Sequence, residues 1–402
     1  MKVRIVTLGC KLNFAESSAL MNELIARGHE RAQKGEEADL VIVNTCTVTD
    51  TADQKDRQAI HRVRRENPHA RIIVTGCYAR LKPKEIADMA EVDRVVTKRE
   101  DIFQPAYSKD DRTRCFLKVQ DGCNYFCTYC AIPYARGRSR NPSISFVAEQ
   151  AIQALQQGAK EIVLTGVNIG DFGRSTGERF IDLLRALDSL PYDFPYRLRI
   201  GSVEPNLLSD EIIDFVAHSK HIAPHFHIPL QSGSDEVLRI MNRHYDTTLF
   251  RARIEHIRHV LPHAFIGVDC MVGVRGETES CWKEYVSFVE SLDVSQLHVF
   301  TYSERQGTRM LAMDLPVVPM AERHRRSQVL HQISEKKLRT FYQDHQNDTV
   351  TVLWEAKNDH GVMYGFTENY IRCSRPFDSA RINTFESLSH HIVTAPDKEN
   401  IG

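Results

Sequence analysis

Three cysteines stand at offsets of four and three in Cys123-Asn124-Tyr125-Phe126-Cys127-Thr128-Tyr129-Cys130. Thiolates are soft ligands that suit iron–sulfur clusters. A cubane has four irons, so three cysteines leave one iron open to a substrate or cofactor. Zinc would want four ligands, and no fourth Cys or His lies at close spacing. A second set is scattered. Cys10, Cys46 and Cys77 each close a short apolar run, over 5–10, 40–46 and 72–77. β-branched runs of this length read as buried parallel strands. In open parallel sheets, ligands collect beyond the carboxyl ends of the strands. The three cysteines therefore converge on one edge, which predicts a second three-thiolate site with an open iron. The plain alternatives are a zinc knuckle for the first set and three unrelated core cysteines for the second.

The elements that position these residues follow from periodicity. Helical stretches at 14–27 and 52–66 separate the first strands, with Gly28 and Pro68 placed to end them. This alternation implies an open parallel sheet over the first hundred residues. Residues 93–111 read as a last strand and a linker. A strand at 114–119 then runs straight into the CxxxCxxC loop, and the alternation restarts. Strands are expected at 161–165, 196–200, 225–230, 265–270 and 296–301, with helices between them, one of them at 146–157 and another opened by Ser209 as N-cap. Six such units make a barrel-like array whose chemistry sits at the strand carboxyl ends. Periodicity alone does not separate a six-unit open barrel from a closed eight-unit one. A long helix is expected over 319–345, carrying Arg323, Arg325, Arg326, Lys336, Lys337 and Arg339, ordinarily a solvated face. Short strands at 350–355, 362–367, 370–375 and 381–393 then suggest a small barrel.

Composition narrows the class. The chain has 402 residues, 42% apolar and 26% charged, as in ordinary globular proteins of two to three domains. The net charge of −1 excludes a global basic field, so any nucleic-acid surface must be local. Ten cysteines without a secretory leader point to a reducing, cytoplasmic compartment and metal ligation rather than disulfides. No apolar run approaches the roughly 20 residues needed to cross a bilayer, so no membrane partner is expected.

The CxxxCxxC loop, with the aromatic Tyr129 before its last cysteine, resembles the radical S-adenosylmethionine superfamily. The first hundred residues resemble the N-terminal domain of the methylthiotransferases, with Cys10, Cys46 and Cys77 matching the ligands of that family's auxiliary cluster. The words Leu8-Gly9-Cys10-Lys11-Leu12-Asn13 and Asn44-Thr45-Cys46-Thr47-Val48-Thr49 are similar to the branch that modifies threonylcarbamoyladenosine next to the tRNA anticodon. The resemblance implies an α/β chain of three parts. These are an N-terminal open parallel sheet domain (1–108), a central partial (βα)6 radical-SAM barrel (109–342) and a C-terminal TRAM-like small β-barrel (343–402).

The same resemblance implies two 4Fe-4S clusters and S-adenosyl-L-methionine. Cys123, Cys127 and Cys130 would hold the cluster that cleaves the cofactor. Cys10, Cys46 and Cys77 would hold the cluster that carries the sulfur, and a second S-adenosylmethionine would methylate it. Tyr129, Gly166, Glu204, Gln231, Ser232, Gly273 and Tyr302 fall in loops that match the family's cofactor loops. One departure stands out: Arg275 occupies the place of a usual proline before Gly276-Glu277-Thr278, which would loosen that loop. The implied partners are the tRNA anticodon loop, an electron donor such as flavodoxin or ferredoxin, and a sulfur donor. Residues 346–402 carry five cations against eight acids, a net of −3. Phosphate contacts would therefore use a local Arg372/Arg375/Arg381 face, or the groups Arg57, Arg62, Arg64, Arg65 and Arg136, Arg138, Arg140. The alternatives are a sister branch acting on isopentenyladenosine or on a ribosomal-protein aspartate, and a non-enzymatic two-cluster electron carrier.

Overall fold

The computed structural model describes residues 1–33, 35–47, 49–97, 106–108 and 113–389. Val48, most of the expected linker, the last part of the final expected strand and Lys398 lie outside them. The chain begins β1 (Lys2–Thr7), α1 (Lys11–Ala26), β2 (Glu30–Arg31), β3 (Leu40–Thr45), α2 (Asp50–Glu66), β4 (Arg71–Gly76), α3 (Cys77–Leu81), α4 (Pro83–Ala87) and β5 (Arg94–Val95). The strands form one parallel sheet in the order β2-β1-β3-β4-β5. The apolar runs make its centre: Val41, Val43, Ile72 and Val74 are buried against Ile60 and Val63 of α2 and Tyr78 and Ile86 beyond β4. Thr49 caps α2 by accepting from the Ala52 N–H at 3.1 Å, and Gly28 stops α1 at φ +85°.

The central part runs β6 (Arg114–Lys118), α5 (Ile132–Arg136), α6 (Ile144–Gln156), β7 (Glu161–Thr165), α7 (Phe180–Asp188), β8 (Arg197–Ile200), α8 (Asp210–His218), β9 (His225–Gln231), α9 (Asp235–Ile240), α10 (Thr247–Val260), β10 (Phe265–Val272), α11 (Glu279–Ser291) and β11 (Gln296–Thr301). Strands β6-β7-β8 and β9-β10-β11 are parallel triplets, joined by bridges between Leu198 and Ile222 and between Ser202 and His227. Side chains alternate along these strands. One set, with Leu117, Leu164, Ile200, Ile228, Val268 and Leu297, packs under the helices as the main core. The opposite, inner face carries most of the polar side chains, Arg114, Glu161, Arg197, Arg199, His225, His227, Asp269 and His298, beside the apolar Phe116, Val163 and Phe265. Helix α1 lies on this inner face, its Ala15 in one buried cluster with Phe116 of β6 and Val163 of β7.

Helix α12 (Met320–Asp344) then leads to β12 (Val350–Trp354), β13 (Val362–Phe366), β14 (Arg372–Pro376) and β15 (Phe385–Leu388), an antiparallel sheet in the order β14-β13-β12-β15. Leu338, Phe341 and Tyr342 of α12 share its core with Val352, Trp354, Met363 and Ile371. The sheet docks at the amino ends of the central strands, away from the cysteine loops. There Arg114 donates to Glu355 at 2.9 Å and to the Tyr370 hydroxyl at 3.0 Å, and Arg197 to the Thr351 carbonyl at 2.8 Å. The basic face expected on α12 is split. Arg325 is exposed, while Arg323 and Arg326 are buried; Arg326 pairs with Glu277 at 2.6 Å.

Candidate active site

Register brings the scattered thiols together. Thr45 and Gly76 are partners on β3 and β4, so Cys46 and Cys77, one residue on, leave adjacent strand ends. Cys10 follows β1, the other neighbour of β3, and caps α1. Two glycines permit the approach. A Cβ on Gly9 (φ +101°) would lie 2.8 Å from Cys46 Sγ, and one on Gly76 (φ +102°) would lie 2.4 Å from the Thr45 carbonyl oxygen; any side chain would part the strand ends. Asp56 fixes the turn by accepting from the Cys46 N–H at 3.0 Å. Burial pushes the Cys77 thiol up, while Arg136 beside it pulls the other way.

The second triplet sits in the loop after β6. Cys130 N–H donates to the Cys127 carbonyl at 3.0 Å and Cys123 N–H to the Gly137 carbonyl at 3.1 Å, with Phe126 turning the chain at φ +50°. The three thiols lie within electrostatic reach of one another. Burial raises Cys123 to about 11 and Cys130 to about 12, so thiolates form here only with a cation to stabilise them. Among the described residues, no three His, Cys, Asp or Glu side chains gather tightly enough to hold a single metal ion. Arg243 Nη1 stands 3.2 Å from Cys127 Sγ and 3.3 Å from the Tyr129 hydroxyl, and its other arm pairs with Glu204. Nothing in the sequence around Met241-Asn242-Arg243 links this arginine to the cysteines.

The loops expected to hold the cofactor all fall at carboxyl ends of the central strands. Gly166 follows β7, where a Cβ would come within 2.7 Å of Ile169 and 2.9 Å of Gln120. Gln120 Oε1 accepts from the N–H groups of Val167 and Asn168 at 3.0 and 2.9 Å, tying this loop to the one that carries the thiols. Gln231 closes β9 at φ +64°. Ser232 is buried and accepts from the Ser234 N–H at 3.3 Å. Gly273 follows β10, with Arg323 packed where a Cβ would be. Tyr302 follows β11 and shares an apolar cluster with Tyr129. Around them, Asn168 Oδ1 and Nδ2, Gln231 Oε1 and the Tyr302 hydroxyl are buried without a partner among the described residues. Orphaned polar atoms converging beside a thiol loop fit a polar cofactor there. Glu204 is the exception, since Arg243 already occupies its carboxylate. The Arg275 turn is supported: its guanidinium pairs with Glu304 at 3.0 Å, and Gly276 N–H donates to the Pro316 carbonyl at 2.9 Å.

Buried charges clamp the two thiol regions together. Arg136 donates to Asn13 Oδ1 at 2.6 Å and to Glu16 and Asp121 at 3.1 Å each. Lys118 pairs with the same two carboxylates at 2.8 Å, and Arg305 pairs with Asp53 at 3.1 Å. This corrects the expectation for the basic cluster beside the loop. Arg136 is buried in ion pairs and Arg140 pairs with Asp121 at 3.1 Å, which leaves Arg138 as the exposed member. On the far sheet, Arg375 and Arg381 both lean on Glu386.

Comparison with known proteins places these features. Residues 2–97 match the uncharacterized protein family UPF0004, and residues 117–289 match the radical SAM superfamily. The chain is 35% identical over 402 residues to the threonylcarbamoyladenosine tRNA methylthiotransferase MtaB of Bacillus subtilis (strain 168), covering 91% of this chain and 88% of that one. It is 33% identical to the enzyme of that name from Aquifex aeolicus (strain VF5), covering 93% and 97%. A tRNA-2-methylthio-N(6)-dimethylallyladenosine synthase of Clostridium botulinum (strain Loch Maree / Type A3) is 29% identical, covering 90% and 88%. Among solved structures, the radical S-adenosylmethionine methyltransferase TsrM of Kitasatospora setae superposes with a TM-score of 0.52 at 15% identity over 75% of each chain, a likeness of fold. The chain, with its two thiol triplets on two parallel α/β sheets, belongs to the radical S-adenosylmethionine methylthiotransferase family, in the branch of the threonylcarbamoyladenosine tRNA methylthiotransferases.

Proposed function

We propose that this enzyme converts threonylcarbamoyladenosine beside the tRNA anticodon to its 2-methylthio derivative. The observation that carries the reading is the clamp that holds two three-thiol sites against each other, Arg136 reaching both Asn13 and Asp121. We take residues 1–108 as the auxiliary-cluster domain, 109–342 as a partial (βα)6 barrel and 343–402 as a TRAM-like small barrel. Cys123, Cys127 and Cys130 would hold one 4Fe-4S cluster, and Cys10, Cys46 and Cys77 a second. When bound, the clusters and S-adenosyl-L-methionine supply a radical and a sulfur for carbon 2 of adenine, whose C–H bond offers acid–base groups little to grip.

The protein's own residues bind, orient and shield. Arg243 sets Tyr129 and the Cys127 sulfur. Gln120 fixes the loop that bears Gly166 and Asn168. Gln231, Ser232, Gly273 and Tyr302 line the cofactor side. A base splayed from a single-stranded anticodon loop can reach between the thiol sites. The polar inner face supports a polar base modification over an isopentenyl group, which would want an apolar wall. Electrons would come from a flavodoxin or ferredoxin and sulfur from a separate donor, in the cytoplasm. Among the described residues no helix is long and apolar enough to cross a membrane.

The test uses reconstituted enzyme, reductant and S-adenosylmethionine with three tRNAs bearing unmodified, isopentenyl or threonylcarbamoyl adenosine. Nucleoside mass spectrometry should show the methylthio product from the threonylcarbamoyl tRNA. Product from the isopentenyl tRNA alone would move the chain to the sister branch.

A further inference from the structure

The inner face of β9, β10 and β11 carries a polar cluster that neither thiol triplet uses. His227 Nε2 lies 2.7 Å from Asp269 Oδ1, and the His227 and His298 rings are 5.0 Å apart. Register sets them side by side, His227 opposite Gly267 and His298 opposite Asp269. Gly267 leaves the room: a Cβ there would lie 3.0 Å from His298 Nε2. All three side chains keep access to solvent, although they lie inside the array of strands. Burial, helped by His227, holds His298 near pKa 4, so at neutral pH its ring offers one N–H donor and one acceptor.

Helix α1 delivers a cation to this cluster. Because Ala15 packs on Phe116 and Val163 of the inner face, Lys11, at the start of α1, lies within electrostatic reach of His225 and His298, and of Arg114, Arg199 and Tyr370 deeper in the array. Lys11 keeps solvent access. Glu161, the carboxylate within its reach, is taken by Arg197 at 3.3 Å and Arg199 at 2.9 Å. The arginines around it are paired in the same way, Arg114 with Glu355, whereas among the described residues no carboxylate pairs with Lys11, so its ammonium can take an anion from outside. The place is apt, because Lys11 adjoins Cys10, while Asp269 is in reach of Arg243, which touches Cys127.

We infer that Lys11 and His298, with His227 held by Asp269, form the receptor for the amino-acid arm of the modified base, Lys11 taking its carboxylate and the imidazoles its hydroxyl and carbamoyl groups. This rests on the reading that the substrate carries a threonylcarbamoyl group. The arm fills the space between the strands while the adenine remains near the thiol sites. The neutral His298 imidazole discriminates by hydrogen bonding, so an apolar arm of similar size leaves it unpaired.

The experiment measures binding and turnover of two anticodon stem-loops by reconstituted wild-type enzyme and by the Lys11→Gln and Gly267→Ala variants. One stem-loop carries the threonylcarbamoyl acid, the other its primary amide. Wild type should bind the acid at least about tenfold more tightly than the amide, the range for a charged hydrogen bond. Lys11→Gln should lose that preference while keeping its iron content and its release of deoxyadenosine. Gly267→Ala, which crowds His298, should weaken both ligands and keep the preference. An acid-over-amide preference that survives in Lys11→Gln overturns the assignment and leaves the proposed activity standing. A wild-type enzyme that leaves the threonylcarbamoyl substrate unmodified overturns both.

Discussion

Arg136 Nη2 donates to Asn13 Oδ1 at 2.6 Å, so the helix after the CxxxCxxC loop grips the helix that Cys10 caps. The same guanidinium is buried against Glu16 and Asp121. Removing one partner of a buried ion pair leaves the others uncompensated and costs about 3–5 kcal/mol. Arg136→Met should therefore lower the unfolding midpoint in denaturant and uncouple the two sites, giving deoxyadenosine release with little methylthiolated tRNA. Arg136→Lys keeps the charge but cannot reach three partners with a planar fork, and should recover only part of the stability. A wild-type midpoint in Arg136→Met would show that the clamp contributes nothing.

Anaerobic reconstitution should load two four-iron clusters, about eight irons per chain. Replacing Cys123, Cys127 and Cys130 together by Ala should leave half the iron, and so should replacing Cys10, Cys46 and Cys77. Because burial holds Cys123 near 11 and Cys130 near 12, each must lose a proton as iron binds. Assembly should therefore weaken as the pH falls. Iron analysis and the visible spectrum across pH would check this, and iron unchanged by either triple substitution would remove that site.

The strands were legible because their β-branched runs are continuous, and the thiol sites because parallel strands must end on one edge. Residues 161–165 and 296–301 match the structure residue for residue, and the run at 40–46 is a strand as far as Thr45. What the sequence concealed is pairing. Arg136 and Arg140 read as phosphate ligands because their charge is visible, whereas Asp121 and Glu16, which neutralise them, come from other elements. Arg243 lacked any spacing signal, since it meets Cys127 only after the strands close on one another. The two-residue strand β2 and the five-residue helices α3 and α4 are too short for periodicity to register, whereas the last strand expected from residue 93 is β5.

The remaining cysteines should not be ligands. Cys115 and Cys270 are buried in the main core, and Cys373 in the core of the C-terminal sheet. Cys281 is buried on α11, its sulfur 3.1 Å from the Thr278 hydroxyl. Each behaves as a small hydrophobe. The four single Cys→Ser variants should retain full iron and activity, with a stability loss of about 1–3 kcal/mol from a buried hydroxyl. Loss of half the iron in any one of them would identify a ligand.

Glu161 should make the seam between the central strands and the C-terminal sheet sensitive to acid. Burial alone would raise its pKa, but Arg199, then Arg197 and Arg114, outweigh it and hold the carboxyl at about 2. The same arginines grip the sheet, Arg197 through the Thr351 and Phe366 carbonyls and Arg114 through Glu355. The folded-state pKa lies below the ordinary carboxylate value of 4.5. Glu161 therefore contributes stability that is full above about pH 4.5 and is lost as the pH falls toward 2. The drop across that window is about 3 kcal/mol. Glu161→Gln keeps the shape but leaves Arg197 and Arg199 without their buried counter-charge. It should be destabilised at neutral pH by several kcal/mol, and its stability should vary less between pH 4.5 and 2 than that of the wild type. Denaturant unfolding at a series of pH values would measure both effects. Parallel curves for the two proteins through the acid range would show that Glu161 is not the group that titrates.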